Sequence, residues 1–270
     1  MTGFEHVDVR DEGAIRWVAV RRPRDRNSIH SALMAELGRL LDESERANVR
    51  ALVFTGTGPT YFIGGADGVE MMRLDPERGE AFSERFQRLL SRMEASPLIL
   101  VAAINGLCFG GGFELALACD FRVASTTARI GLPEVKVGLI PGGGGTQRLP
   151  LLVGRGLATE MILSGRLYPG DEAARLGLVH RVVAPEALEE ETRRLLESVL
   201  RHPAYALSLA KQAVRAAGES ALEDGFRTER ALFGRCFEQT FFSDLMTEQL
   251  RNGSLQTSMD VRDILGKDET

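Results

Sequence analysis

The stretch that decides the fold reads Leu98-Ile99-Leu100-Val101-Ala102-Ala103-Ile104, then Asn105-Gly106-Leu107-Cys108-Phe109, then Gly110-Gly111-Gly112-Phe113-Glu114-Leu115-Ala116. Seven apolar residues with no polar alternation suit a strand covered on both faces, the kind buried between helices. The glycine-rich turn over 105–112 is followed by a short apolar helix over 113–119. Upstream, 51–55 is another short buried strand, followed by a glycine-rich loop over 56–68. An amphipathic helix then spans 76–95, with Phe82, Phe86, Leu89, Leu90 and Met93 inward.

The same grammar extends both ways. Strands over 4–9 and 14–20 flank the turn Asp11-Glu12-Gly13. After an irregular charged segment over 23–28, Ser28 or Ser31 caps a helix carrying Leu33, Leu37, Leu40 and Leu41 at helical spacing. Downstream, 121–124 and 128–131 are strands, and the run Pro141 to Gly145 is a third glycine loop before another helix. Strands alternate with helices throughout, which makes the chain α/β. After Pro185 only helical patterns remain, over 186–200, 203–217 and 221–239. We therefore divide the chain into a core over 1–200 and a helical region with a polar tail over 201–270.

Bulk properties narrow the function. Of 270 residues, 44% are hydrophobic and 26% charged, and the net charge is 33 − 38 = −5. That balance argues against a nucleic-acid partner, which asks for a basic surplus. Cys108, Cys119 and Cys236 are too few and too scattered for a disulfide framework or a zinc site. No positively flanked apolar leader and no spanning segment are visible, so we expect a cytoplasmic protein that is not bound to a membrane.

The chemistry gathers at the glycine loops. Gly110-Gly111-Gly112 lets backbone come close to a ligand, and the helix behind it presents free N–H groups suited to a phosphate or a developing oxyanion. Tight helix–strand packing asks for the same glycines, and spacing alone leaves both readings open. No glycine loop ends in Gly-Lys-Ser/Thr, which disfavours a nucleoside triphosphatase, and no acid stands at the strand end that a dinucleotide fingerprint needs. Glu114 and Glu134 each sit in an apolar frame beside a glycine loop. Burial raises carboxyl pKa values toward neutrality, which makes both candidate acid/base groups. There is no nucleophile elbow, and His6, His30, His180 and His202 lie outside every glycine loop. We expect no metal and no resident cofactor.

Four motifs then carry a resemblance. The segments 103–120 and 131–149, with Arg26-Asn27-Ser28 and Gly65-Ala66-Asp67, resemble the signatures of the enoyl-CoA hydratase/isomerase (crotonase) superfamily over about residues 4–240. The resemblance implies a spiral of ββα turns forming two sheets, a C-terminal helical trimerisation region, and homotrimers often paired into hexamers. It implies an acyl-CoA substrate whose coenzyme A is part of the substrate. The N–H groups of Ala66 and Gly111 would form an oxyanion hole, a kind of device whose single donors are worth about 2.7–4 kcal/mol elsewhere. Glu114 and Glu134 would hold a water, one taking its proton and one delivering a proton to C2. Gly142 would help place the acyl chain and water. Arg26, Ser28, Gly64, Asp67, Gly68 and Val69 would meet the adenine, ribose and pantetheine, and Pro133 joins the substrate contacts. Retention of both acids is the hydratase pattern. An isomerase on the same scaffold and a non-catalytic acyl-CoA-binding subunit are the alternatives. The segment 242–266 departs from the family's basic C-terminal helix, leaving Lys211 or Arg251 as possible stand-ins, and Phe113 is bulky enough to narrow the acyl pocket.

Overall fold

Successive side chains of a strand point to opposite faces, so a strand with apolar residues at every position needs a core on each side. The computed structural model, which describes residues 3–251, shows both cores. Strands β1 (Val7–Glu12), β2 (Ile15–Val20) and β3 (Ala51–Gly56) enter a sheet that β4 (Tyr61–Gly64) leaves for a second one. The alternation continues with β5 (Ile99–Ile104) and β6 (Leu107–Phe109), then β7 (Phe121–Ser125) and β8 (Arg129–Gly131), before β9 (Tyr168–Pro169) and β10 (Arg181–Val183). The six-stranded sheet has the order β1-β2-β3-β5-β7-β10 and the four-stranded sheet β4-β6-β8-β9. Only β1 with β2 and β8 with β9 pair antiparallel. Leu100, Ala102 and Ile104 of β5 face one core with Leu52 and Phe54 of β3. Ile99, Val101 and Ala103 face the other with Ala51 and Val53.

Helices close each turn of the spiral. They are α1 (Ser31–Arg46), α2 (Gly68–Met71), α3 (Pro76–Glu94), α4 (Gly111–Leu117), α5 (Gly145–Val153), α6 (Arg155–Ser164), α7 (Gly170–Arg175) and α8 (Leu188–Leu200). The expected ββα repeat is thus present: β3-β4 leads to α2 and α3, β5-β6 to α4, and β7-β8 to α5. Leu188, Leu195 and Leu196 of α8 cover the second core. Helices α9 (Ala204–Glu219), α10 (Leu222–Cys236) and α11 (Phe241–Arg251) follow.

Several expectations need correction. The loops over 56–68 and 105–112 each contain a strand, β4 and β6. Both are short, and their glycines hid them. Neither Ser28 nor Ser31 caps α1: His30 is the cap, its Nδ1 accepting the Leu33 N–H at 2.9 Å. The chain divides into two compact units after Ser208 rather than after residue 200. The reason is that the first turn of α9 still packs on the second core through Leu207. Residues 252–270 of the polar tail lie outside the described residues.

Candidate active site

The site is built where three turns of the spiral meet, beginning with α4. Gly110 takes a left-handed φ of 55° as the chain leaves β6, and its N–H donates to the Gly131 carbonyl of β8. A Cβ on Gly112 would stand 2.1 Å from the Ile63 carbonyl oxygen, so only glycine lets α4 press onto β4. At the other end, the buried guanidinium of Arg122 donates to the Ala116 and Cys119 carbonyls and satisfies the open end of α4. This fixes Glu114 in the first turn, 2% exposed. Its Oε1 accepts the Gly143 N–H at 2.7 Å and the Gly145 N–H at 2.8 Å. Burial raises the Glu114 pKa, and the two N–H donors and the nearby Arg148 charge partly offset the rise.

The second turn contributes an N–H beside α4. Gly65 has φ 83°, and its carbonyl accepts the Ile29 N–H at 2.8 Å. A planar trans peptide points its N–H opposite to its C=O, so the Ala66 N–H faces away from Ile29. The Ala66 nitrogen lies 3.6 Å from the point a Cβ on Gly111 would occupy. Neither the Ala66 nor the Gly111 N–H donates to an acceptor among the described residues. The two expected oxyanion donors therefore lie side by side with their hydrogens unclaimed.

Glu134 comes from the third turn. Pro133, half-buried, leads into a 3-10 turn, Glu134–Val137, and Glu134 is its first residue. Its Oε1 lies 3.2 Å from where a Cβ on Gly110 would be. Its Oε2 is buried with no hydrogen-bond partner among the described residues. Burial is the main reason its pKa is pushed up to about 7, with the charge of Glu114 adding to the rise and a bond from its own backbone opposing it. Gly142, half-buried, belongs to the loop that holds Glu114, and Phe113 is fully buried in the core.

The strip expected to meet the nucleotide is assembled on one edge. Arg26 is exposed with φ 58°, and its carbonyl accepts the Gly64 N–H at 2.9 Å. Ile29 and Ala66 form a parallel bridge. Gly68 and Val69, at the start of α2, are exposed. The side chains of Ser28 and Asp67 are already engaged. Arg22 pairs with Asp67 at 2.8 Å and donates to the Ser28 carbonyl and hydroxyl. Asp67 also caps α2 through the Val69 and Glu70 N–H groups. Beside this strip, His6, Arg21, Arg22, Arg24, Asp25 and His30 line a groove of about 390 Å³.

Reasoning from sequence missed Arg22, Ser83, Gln87 and Arg148. The dense run Arg21-Arg22-Pro23-Arg24-Asp25-Arg26 was the available signal for the first. The last three act on backbone carbonyls of the third glycine loop, and no local pattern announces such bonds.

Residues 10–249 match the family described as enoyl-CoA hydratase/isomerase. A short-chain-enoyl-CoA hydratase from Clostridium acetobutylicum is 35% identical over 90% of this chain and 94% of its own. A crotonyl-CoA hydratase from Syntrophomonas wolfei is 34% identical over 87% of this chain and 90% of its own. The crystal structure of an enoyl-CoA hydratase subunit I from Geobacillus kaustophilus superposes with a TM-score of 0.86 at 38% identity, covering 95% of this chain and 99% of that one. A family match across most of the chain, and a shared fold at more than 30% identity, have one meaning: the chain belongs to the enoyl-CoA hydratase/isomerase family.

Proposed function

We propose that this protein is an enoyl-CoA hydratase that adds water across the 2,3 double bond of an acyl-CoA thioester. The observation that carries the reading is the convergence of two unclaimed backbone N–H groups, Ala66 and Gly111, with two glutamates, Glu114 buried and Glu134 half-buried. The thioester oxygen fits between the two donors. Donors held by the fold stabilise the enolate that forms when a nucleophile attacks C3, because they need no reorganisation.

The two acids divide the proton work. Glu114, held by two N–H donors, is the better carboxylate and takes a proton from the attacking water. Glu134, with a pKa of about 7 and a buried oxygen that has no partner among the described residues, keeps its proton well above the ordinary carboxyl range and delivers it to C2. Atoms balance without a redox partner: water supplies the hydroxyl at C3, Glu134 supplies the hydrogen at C2, and the proton on Glu114 returns to Glu134 through solvent. Coenzyme A enters as part of the substrate, and no resident cofactor is needed. Arg26, Ser28, Gly64, Asp67, Gly68, Val69 and Pro133 form its track, and Gly142 the rim of the acyl site. The arginines of the neighbouring groove complement the substrate's phosphates.

We further propose a homotrimer or homohexamer in the cytoplasm. Phe226, Phe233, Phe237, Phe241 and Phe242 of the helical unit are all exposed, more apolar surface than a lone subunit ordinarily leaves uncovered. Cys108 and Cys119 are buried thiols, in keeping with a reducing compartment. No helix among the described residues is long and apolar enough to cross a membrane.

The test is loss of the conjugated enoyl-thioester absorbance of crotonyl-CoA, with Glu114→Gln and Glu134→Gln beside the wild type. Loss with wild type and not with either variant is the expected result. Retention of full activity in both variants would sink the reading.

A further inference from the structure

We infer that Ser83 and Gln87, on α3, are positioning residues for Glu114 that act through the Gly142–Gly143 peptide. The catalytic consequence rests on the hydratase reading above. The geometry does not.

The argument is one of peptide planarity. The N–H that Gly143 gives to Glu114 shares a rigid trans peptide with the Gly142 carbonyl, so holding one end aims the other. That carbonyl is gripped twice: the Ser83 hydroxyl donates to it at 2.6 Å and the Gln87 amide at 2.8 Å. The two donors stand one helical turn apart on the same face and bond to each other, Gln87 Nε2 to Ser83 Oγ at 3.1 Å. The second N–H on Glu114, from Gly145, shares its peptide with the Gly144 carbonyl, and that one is held by the Gln147 and Arg148 N–H groups at the start of α5. Each hydrogen bond that fixes the carboxylate is therefore backed by a clamp on the far side of its own peptide, but only the first clamp is made of side chains. A carbonyl that accepts bonds also polarises its peptide and strengthens the N–H as a donor.

The loop has few other means of holding that orientation. Its residues from Gly142 to Gly145 are all glycine, which have the widest backbone freedom of any residue. The Phe86 ring lies against Gly143, and Arg148, paired with Glu94, holds the Gly143 carbonyl. Those contacts locate the loop, while Ser83 and Gln87 set the rotation of the one peptide that meets Glu114 first.

Arg148, paired with Glu94, is the charge that acts on the Glu114 carboxylate and favours its ionised form, and Glu134 stands close enough for the Glu114 charge to raise its pKa. None is altered by changing Ser83 or Gln87. Loss of the clamp weakens one of two N–H bonds to the carboxylate, so the midpoint of Glu114 rises by about one unit.

The measurement is a pH titration of the carboxylate infrared band in ligand-free, full-length protein, with the Glu114 signal assigned by its absence in Glu114→Gln. Wild type, Ser83→Ala, Gln87→Ala, the double variant and Ser83→Thr are compared, each first shown to melt cooperatively. We expect a higher Glu114 midpoint in the double variant, a smaller rise in each alanine single, and the wild-type value in Ser83→Thr, which keeps the hydroxyl. In crotonyl-CoA hydration the double variant should lose about tenfold in kcat with KM little changed. A double variant with the wild-type Glu114 midpoint overturns the inference. A wild type that does not hydrate crotonyl-CoA removes the hydratase reading on that substrate instead, and the infrared midpoint still decides this one.

Discussion

Arg22 and Asp67, 45 positions apart in the chain, meet as an ion pair of 2.8 Å with their side chains only 11% and 14% exposed. The pair ties the turn after β2 to the loop that carries Ala66, one residue before Asp67. It also explains why the Asp67 carboxyl is held below its ordinary value: the Arg22 guanidinium is the main cause, with the α2 N–H groups adding to it. Arg22→Met leaves that carboxylate with only the α2 N–H groups and the Ser28 hydroxyl, a change that costs about 1–3 kcal/mol. The melting temperature should fall by on the order of 10 °C, and KM for crotonyl-CoA should rise. Because the folded pKa of Asp67 is depressed, the stabilisation is present above pH 3.8 and is lost as pH falls below it through the folded value. The wild type and Arg22→Met should therefore converge in stability in strong acid, which thermal melts at pH 2.5 and pH 7 would check.

Glu134 behaves with the opposite sign. Its pKa is raised from 4.5 to about 7, so the folded state holds a proton that the unfolded chain releases between those values. Rising pH therefore destabilises the native state across that window and stops doing so above about 7. Glu134→Gln removes the penalty. It should melt higher than wild type at pH 8 and no higher at pH 4, while kcat drops by roughly 10²–10⁴. In the wild type, activity should fall as pH rises past about 7 and Glu134 loses the proton it donates.

Gly143 should admit no side chain. A Cβ there would stand 2.5 Å from the Phe86 ring and 2.7 Å from Glu114 Oε2. Gly143→Ala is expected to cost about 100-fold in kcat/KM, the usual price of shifting a catalytic group by about 1 Å. Phe86→Leu in the same chain should recover part of the loss by yielding space. Gly38→Ala on α1, where a Cβ meets nothing within 4 Å, should leave activity unchanged and add roughly 0.4–1 kcal/mol of stability.

The basic groove offers a separable test of coenzyme binding. Arg24 is exposed and lines it, and neither glutamate does. Arg24→Glu should raise KM for crotonyl-CoA by roughly fivefold at low salt and leave kcat alone, with the difference shrinking as salt is added. Equal KM values at low salt would separate the groove from the substrate.

Much of this architecture was legible in the chain because burial leaves a periodic trace. The unbroken run over 98–104 announced a strand with two cores, and Phe82, Phe86, Leu89, Leu90 and Met93 announced the inward face of α3. The strands β4 and β6 left no such trace, being four and three residues long inside glycine-rich text. Within the site, Glu114 and Glu134 stood out as carboxylates in apolar frames. Arg22 did not, since its meaning depends on Asp67 arriving from another turn of the spiral. Ser83 and Gln87 read as ordinary helix-surface residues until the third glycine loop lies across them. What a sequence hides here is whatever depends on a partner, side chain or carbonyl, contributed from far along the chain.

The N–H groups of Ala66 and Gly111, which we propose hold the thioester oxygen, are main-chain atoms. Every amino acid except proline carries the same N–H, so exchange of the side chain at position 66 leaves the donor in place. On that reading, the group that activates the thioester is insulated from point mutation. The proton-transfer groups are side chains and can be swapped one codon at a time. A scaffold wired in this way can drift toward new reactions of the same thioester without ever passing through a form that has lost its grip on the carbonyl.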